Sequence, residues 1–137
     1  MKALTLTQPW ATLVAIGAKR IETRSWHTLY RGPLAIHAAK AFPVWAQAMC
    51  THKHFRAALH GAGYTLVASL PRGAAIAIVT LADITPIIFQ RDVPPEPEAT
   101  FGDYTSGRWA WHLTAAQMLA EPVPAKGALG LWEWDEG

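Results

Sequence analysis

Acidic side chains are nearly missing from the first part of this sequence: Glu22 is the only one before Asp83. Cysteine is nearly missing throughout, with Cys50 alone among 137 residues. One cysteine excludes an internal disulfide and makes a reducing cytoplasm the natural compartment. No apolar run reaches the roughly 18 residues that a membrane helix needs. The opening MKALTLTQPW holds one lysine and then a Pro–Trp pair, with no continuous apolar stretch and no small-residue cleavage site. We read no signal peptide in it. Walker loops, GxGxxG and GxSxG are missing as well. His52, His54 and His60 fall on or near one predicted helix, but 52 and 54 point to different faces and have no Cys or carboxylate nearby. Cys50 lacks a helix N-terminus or an assigned base and reads as an inert buried thiol. The sequence therefore predicts neither a metal nor a cofactor.

What is present favours one domain over residues 1–137. Hydrophobic residues make up 51% and charged residues 16% of the chain, enough for a packed core and against disorder. The formal net charge is +2, but it is unevenly spread. Residues 1–72 carry nine Lys/Arg against one acid, and residues 73–137 carry three against nine. A one-sided basic face is the footprint of an anionic partner, nucleic acid first. The competing reading is that the two parts interleave and neutralise each other.

Periodicity places the elements. ALTLTQP alternates, so residues 3–7 read as a strand, and PWATLVAIGA as a helix over 9–16 opened by Pro9 and ended by Gly17. KRIETRSW is a second strand and PLAIHAA a third. Residues 43–60 fit one helix with a stripe of Trp45, Ala48, Met49, His52, Phe55 and Leu59. Residues 73–89 read as a long bent strand, or two, broken near Pro86. QRDVPPEPEA is a surface loop, SGRWAWHL a strand, and EPVPAKGALGLWEW a turn with a final strand. Short, Gly- and Pro-punctuated strands with two early helices predict an α+β fold. We expect a mostly antiparallel β-barrel with the helices packed at its openings.

The run GAKRIETRSW carries the chemistry. Alternation puts Arg20, Glu22, Arg24 and Trp26 on one strand face. Arginines beside Glu22 hold its carboxylate ionised and oriented. Glu22 can accept from a base's exocyclic amine or act as a general base, while Lys19 or Arg24 neutralises phosphate or a developing oxyanion. Trp10 and Trp26, next to guanidinium groups, suit stacking on a base or a ribose face.

These residues are also familiar. QPWATLVAIGAKRIETRSW, followed by YRGPLAIHAAK, resembles the signature of the ASCH domain family, the activating-signal-cointegrator homology domains, most closely the cointegrator-type branch and small bacterial stand-alone members. The likeness is strong over about residues 3–40 and generic afterwards. It implies a PUA-like barrel with a cleft between the barrel and the first helix, lined by the GxKxxExR segment. It implies nucleic-acid binding, RNA ahead of DNA. Some members resemble amidohydrolases of N4-acetylcytidine that use a Lys, a Thr three positions on, and a distant Glu. Lys19 and Arg24 match that motif, but Glu22 stands where it has threonine; Glu96, Glu98 and Asp103 are only positional counterparts of the distant Glu. Others have been described as ribonucleases.

The reading is thus a cytoplasmic nucleic-acid-binding module. Its cleft comprises Gln8, Trp10, Lys19, Arg20, Glu22, Arg24, Ser25 and Trp26. Arg31, His37 and Lys40 extend a basic rim, and Tyr104, Arg108 and Trp109 face it from the C-terminal part. The alternative is a metal-independent enzyme on RNA or a modified nucleoside with Lys19, Glu22 and Arg24 as catalytic groups. A third is a protein-interaction domain.

Overall fold

The alternating run at the start forms strand β1 (Lys2–Leu6) in the computed structural model, which describes residues 1–136. Helix α1 (Trp10–Ala15) follows at once. Gln8 anchors its first turn: its side-chain oxygen accepts from the Thr12 amide at 3.0 Å, and its Nε2 donates to the Thr12 hydroxyl and the Pro71 carbonyl, both at 2.8 Å. Gly17, at φ +78°, then turns the chain into β2 (Ile21–Arg24). Glycine suits that left-handed backbone. Strands β3 (Gly32–Ala38), β4 (Ala74–Pro86), β5 (Trp109–Pro124) and β6 (Leu131–Glu133) complete one sheet in the order β2-β5-β4-β3-β1-β6. All neighbours are antiparallel except β1 and β3, which α1 and β2 separate in sequence.

The sheet curls into a half-barrel, a PUA-like α+β arrangement. Its inner face is lined by Leu4, Leu6, Leu34, Ile36, Val79, Leu81, Trp111 and Leu113, and α1 plugs it with Ala11 and Val14. Across the open side, the Arg24 guanidinium on β2 donates to the Thr5 carbonyl on β1 at 3.2 Å. On the outer face Ala3, Ala35, Ala75 and Trp134 form a thinner cluster. There Trp132 Nε1–H donates to the Thr5 hydroxyl at 3.0 Å, which lies 3.1 Å from His37 Nδ1. His37 Nε2 lies 2.7 Å from the Ala125 carbonyl. A carbonyl only accepts, so Nε2 carries the proton and Nδ1 accepts from Thr5.

Three expectations change. The helix over 43–60 is two helices, α2 (Val44–Met49) and α3 (Lys53–Gly61). The Thr51 hydroxyl donates to the Ala48 carbonyl at 2.8 Å, and His52 is an N-cap accepting from the His54 amide. These local bonds compete with helix continuation. The buried positions then become Ala46 and Cys50 on one stretch and Phe55 and Leu59 on the next, which leaves Trp45 exposed. The loop at 90–99 ends in a short helix, α4 (Glu98–Phe101). Finally, β5 runs on past residue 113 to Pro124, where among the described residues β4 is its only strand partner. Neither propensity nor alternation marks TAAQMLAEPVP as a strand; its partner does.

The charge imbalance is also partly undone by folding. Lys2 pairs with Glu133 at 2.8 Å and Arg31 with Asp83 at 3.9 Å, each joining the basic part to the acidic part.

Candidate functional site

A cleft of about 470 Å³ opens where β1 ends, beside β2 and the loop that follows α4. Thr5, Leu6 and Thr7 form one wall, and Glu22, Thr23 and Arg24 another. Trp10 and Trp45 close one end with ring centroids 5.7 Å apart and planes tilted by 44°. Trp10 is fixed: its Nε1–H donates to the Phe101 carbonyl at 2.8 Å, and its ring meets Phe55 edge-on. Trp45 is 62% exposed and free to adapt. Arg108 and Asp103 complete the lining from the C-terminal part. Arg108 donates from Nη2 to the Thr23 carbonyl and from Nε to the Asp103 carbonyl, both at 3.1 Å. The Asp103 carboxyl is held low by the Thr105 hydroxyl and amide, with Arg108 assisting.

Under this lining lies a buried ionic group. Lys19 is 1% exposed, and its Nζ sits 3.3 Å from Glu22 Oε1. It also donates to the Ile21 carbonyl. Glu22 Oε2 faces Arg24 Nε at 3.1 Å. A buried lysine is tolerable only when so paired. Lys19 also borders a second hollow of about 340 Å³, together with Gly17 and Arg20. The Lys19–Glu22 pair is therefore a partition: Gly17, Lys19 and Arg20 face one space, and Glu22, Thr23 and Arg24 the other.

Glu98 approaches the same group from α4, accepting the Arg20 backbone amide on Oε1. Burial pushes its carboxyl up from the ordinary 4.5, against the pull of that amide and of Lys19. Tyr104 is pushed well above the usual phenol range, first by burial and then by the charges of Glu98 and Glu22. The Glu98 Oε2 atom and the Tyr104 hydroxyl are buried without a hydrogen-bond partner among the described residues.

Of the residues singled out from the sequence, Trp10, Glu22, Arg24 and Arg108 line the cleft. Lys19 backs Glu22, and Tyr104 lies behind Gly102, where an added Cβ would come within 2.9 Å of its ring. Others stand elsewhere. Gln8 is wholly buried and spent on α1. Arg20 is exposed on the second hollow, so strand alternation does not carry it onto Glu22's face; β2 begins only at Ile21. Ser25 is exposed beyond the strand end. Trp26 packs edge-on against Trp111 at 4.8 Å, and Trp109 lies tilted by 48° against His27 at 4.6 Å. Arg31 holds its own loop by donating to the Thr28 and Tyr30 carbonyls. His37 is 2% exposed and both its nitrogens are engaged, so it forms no rim. Lys40 lies on a different groove, on the outer face. Sequence reasoning missed Trp45, assigned to the core stripe of an unbroken helix, and the threonines Thr5, Thr7 and Thr100, which carry no recognisable pattern.

Among the described residues, no group of three or more His, Cys, Asp or Glu is placed to hold a metal. No helix of the described chain is long and apolar enough to cross a membrane.

Comparisons with known proteins agree with this architecture. A family model described as "ASCH domain" matches residues 4–123. The chain is 35% identical over 133 residues to activating signal cointegrator 1 of Homo sapiens, and 29% identical over 136 residues to its counterpart in Mus musculus. Both alignments cover 96% of this chain, which spans 22% of the length of each relative. Among solved structures, a tyrosine-to-phenylalanine variant of an ASCH protein from Zymomonas mobilis superposes with a TM-score of 0.56. At 15% identity, covering 98% of this chain and 90% of that one, it supports the fold alone.

Proposed function

The chain belongs to the ASCH domain family, and on that premise we propose that it binds nucleic acid, RNA ahead of DNA, by taking an unstacked base into the Trp10/Trp45 cleft. The observation that carries this reading is the company the two tryptophans keep: Arg24, Arg108, Glu22 and Asp103 line the same space. Aromatic faces stack on any base, guanidinium groups meet phosphate, and carboxylates accept from exocyclic amines. The volume lies within the usual range for a site that encloses a small molecule. Splayed bases of this kind are typical of single-stranded RNA. A cytoplasmic location fits the single, buried, free cysteine.

Filter binding of single-stranded RNA and DNA over a salt series tests the proposal. Affinity that falls with salt, and falls again in Trp45→Ala, supports it. Binding that is absent, or indifferent to salt, sinks it.

One observation favours an alternative, a metal-independent hydrolase of RNA or of a modified nucleoside. Lys19, Glu22 and Arg24 adjoin Glu98, a carboxyl that burial holds toward its neutral form. Two carboxyls of unlike burial beside one lysine are the elements of an acid–base set. Labelled RNA and N4-acetylcytidine, incubated with the wild type and with Lys19→Ala and Glu22→Gln, separate the two readings. Turnover lost in both variants favours the enzyme; no turnover in the wild type leaves binding alone.

A further inference from the structure

A second groove, of about 800 Å³, lies on the outer face of the sheet. Thr5 borders both this groove and the cleft, so the two spaces lie on either side of the end of β1. We infer that a strand held in the cleft continues over Thr5 into this groove, where Lys40 and Lys126 take its backbone phosphates. This rests on the nucleic-acid reading of the cleft and assigns that ligand a length and a direction.

Three observations carry the inference. The first is charge. Lys40 and Lys126 are exposed, and neither makes an ion pair among the described residues. No carboxylate lines the groove, whereas two line the cleft. A ligand entering it meets positive charge only, which fits a polyanion. The second is the wall. Leu129 is 98% exposed at the groove's edge, an apolar surface for a sugar or a base face. The third is a floor that is already built. Gly127 presses so closely that an added Cβ would lie 2.7 Å from the Thr5 hydroxyl and 2.8 Å from the His37 ring. His37 in turn ties Thr5 to the Ala125 carbonyl. The loop is thus held against β1 before any ligand arrives, which lowers the ordering cost of binding.

The test uses the full chain, a single nucleoside monophosphate, and a single-stranded RNA of about ten nucleotides, within the site sizes usual for such grooves. Lys40→Gln combined with Lys126→Gln is expected to weaken binding of the longer RNA. The slope of log affinity against log salt should fall by about 1.4, roughly 0.7 for each lost phosphate contact. Affinity for the monophosphate should not change. In the wild type, the amide resonances of Gly127 and Leu129 should shift with the longer RNA and stay still with the monophosphate. An unchanged slope in a variant that still binds overturns the inference while leaving the cleft reading intact. Silent amides overturn it even if the variant folds poorly. A polyglutamate peptide that shifts those amides more than RNA does also overturns it and assigns the groove to an acidic protein. If the wild type binds neither nucleic-acid probe, the cleft reading itself fails.

Discussion

The cleft and the outer groove share Thr5 as a border but are built on opposite plans. The cleft balances its charges, with Glu22 and Asp103 against Arg24 and Arg108, and adds two indole rings. The groove carries lysines alone on apolar walls, with no carboxylate. Balanced, hydrogen-bonded charge can recognise a shape and an edge; unopposed, mobile ammonium groups only attract. One surface is equipped to choose, the other to hold.

The largest test of that contrast is Glu22→Ala. It strands Lys19, which is 1% exposed, without its counter-ion, and should cost about 3–5 kcal/mol in a denaturant titration. Removing a groove lysine should cost no such stability, because both are exposed. Trp45→Ala comes next. Its ring is 62% exposed, so the unfolding free energy should move by less than about 0.5 kcal/mol, while binding of single-stranded RNA should weaken by about 1–3 kcal/mol. A change in unfolding as large as the change in binding would make Trp45 a core residue.

Glu98→Gln sharpens the contrast through pH. Burial raises this carboxyl above its ordinary 4.5, so the folded chain favours the protonated form. Its contribution to stability is full below that ordinary value and is lost as pH rises through the higher folded one. The glutamine variant should therefore gain on the wild type in melting temperature over the interval that begins at the ordinary 4.5 and runs upward in pH. A difference that shrinks over that interval would contradict the burial of Glu98. The smallest effect belongs to Arg31→Ala, outside both surfaces. Its contact with Asp83 is long and exposed at 3.9 Å, and losing it should cost under about 1 kcal/mol and leave RNA affinity unchanged.

Much of this molecule is legible in its sequence where local pattern and burial agree. β1 follows from a period of two, α1 from its opening Pro9 and closing Gly17, and β4 from its β-branched composition. Alternation pairs Glu22 with Arg24, but it names Arg20 as the other partner where the buried Lys19 stands. What was illegible depends on partners distant in the chain. Trp45 is the exception, a local one: Thr51 and His52 cap their own neighbours and break the helix behind it. Gln8 and His37 look polar and available, but carbonyls of Pro71 and Ala125 claim them. Lys40 and Lys126, 86 positions apart in the chain, line one groove once Gly127 packs on His37 and the Ala125 amide bonds the Gly73 carbonyl.

The overrun of β5 has a consequence for how the protein meets copies of itself. Past residue 113 this strand has β4 on one side and no strand on the other among the described residues, so it offers an open edge. Such edges are templates for strand-to-strand aggregation. The Ala125 amide reaches back toward the β4 side, to the Gly73 carbonyl at 3.1 Å. Alternation then turns the nitrogens of Pro122 and Pro124 outward, where an incoming strand would seek donors and find none. Glu121 adds a charge to the same stretch, and Ala115, at φ +53°, kinks its beginning. The sheet can thus leave its longest flank bare in a crowded solution without recruiting a seventh strand.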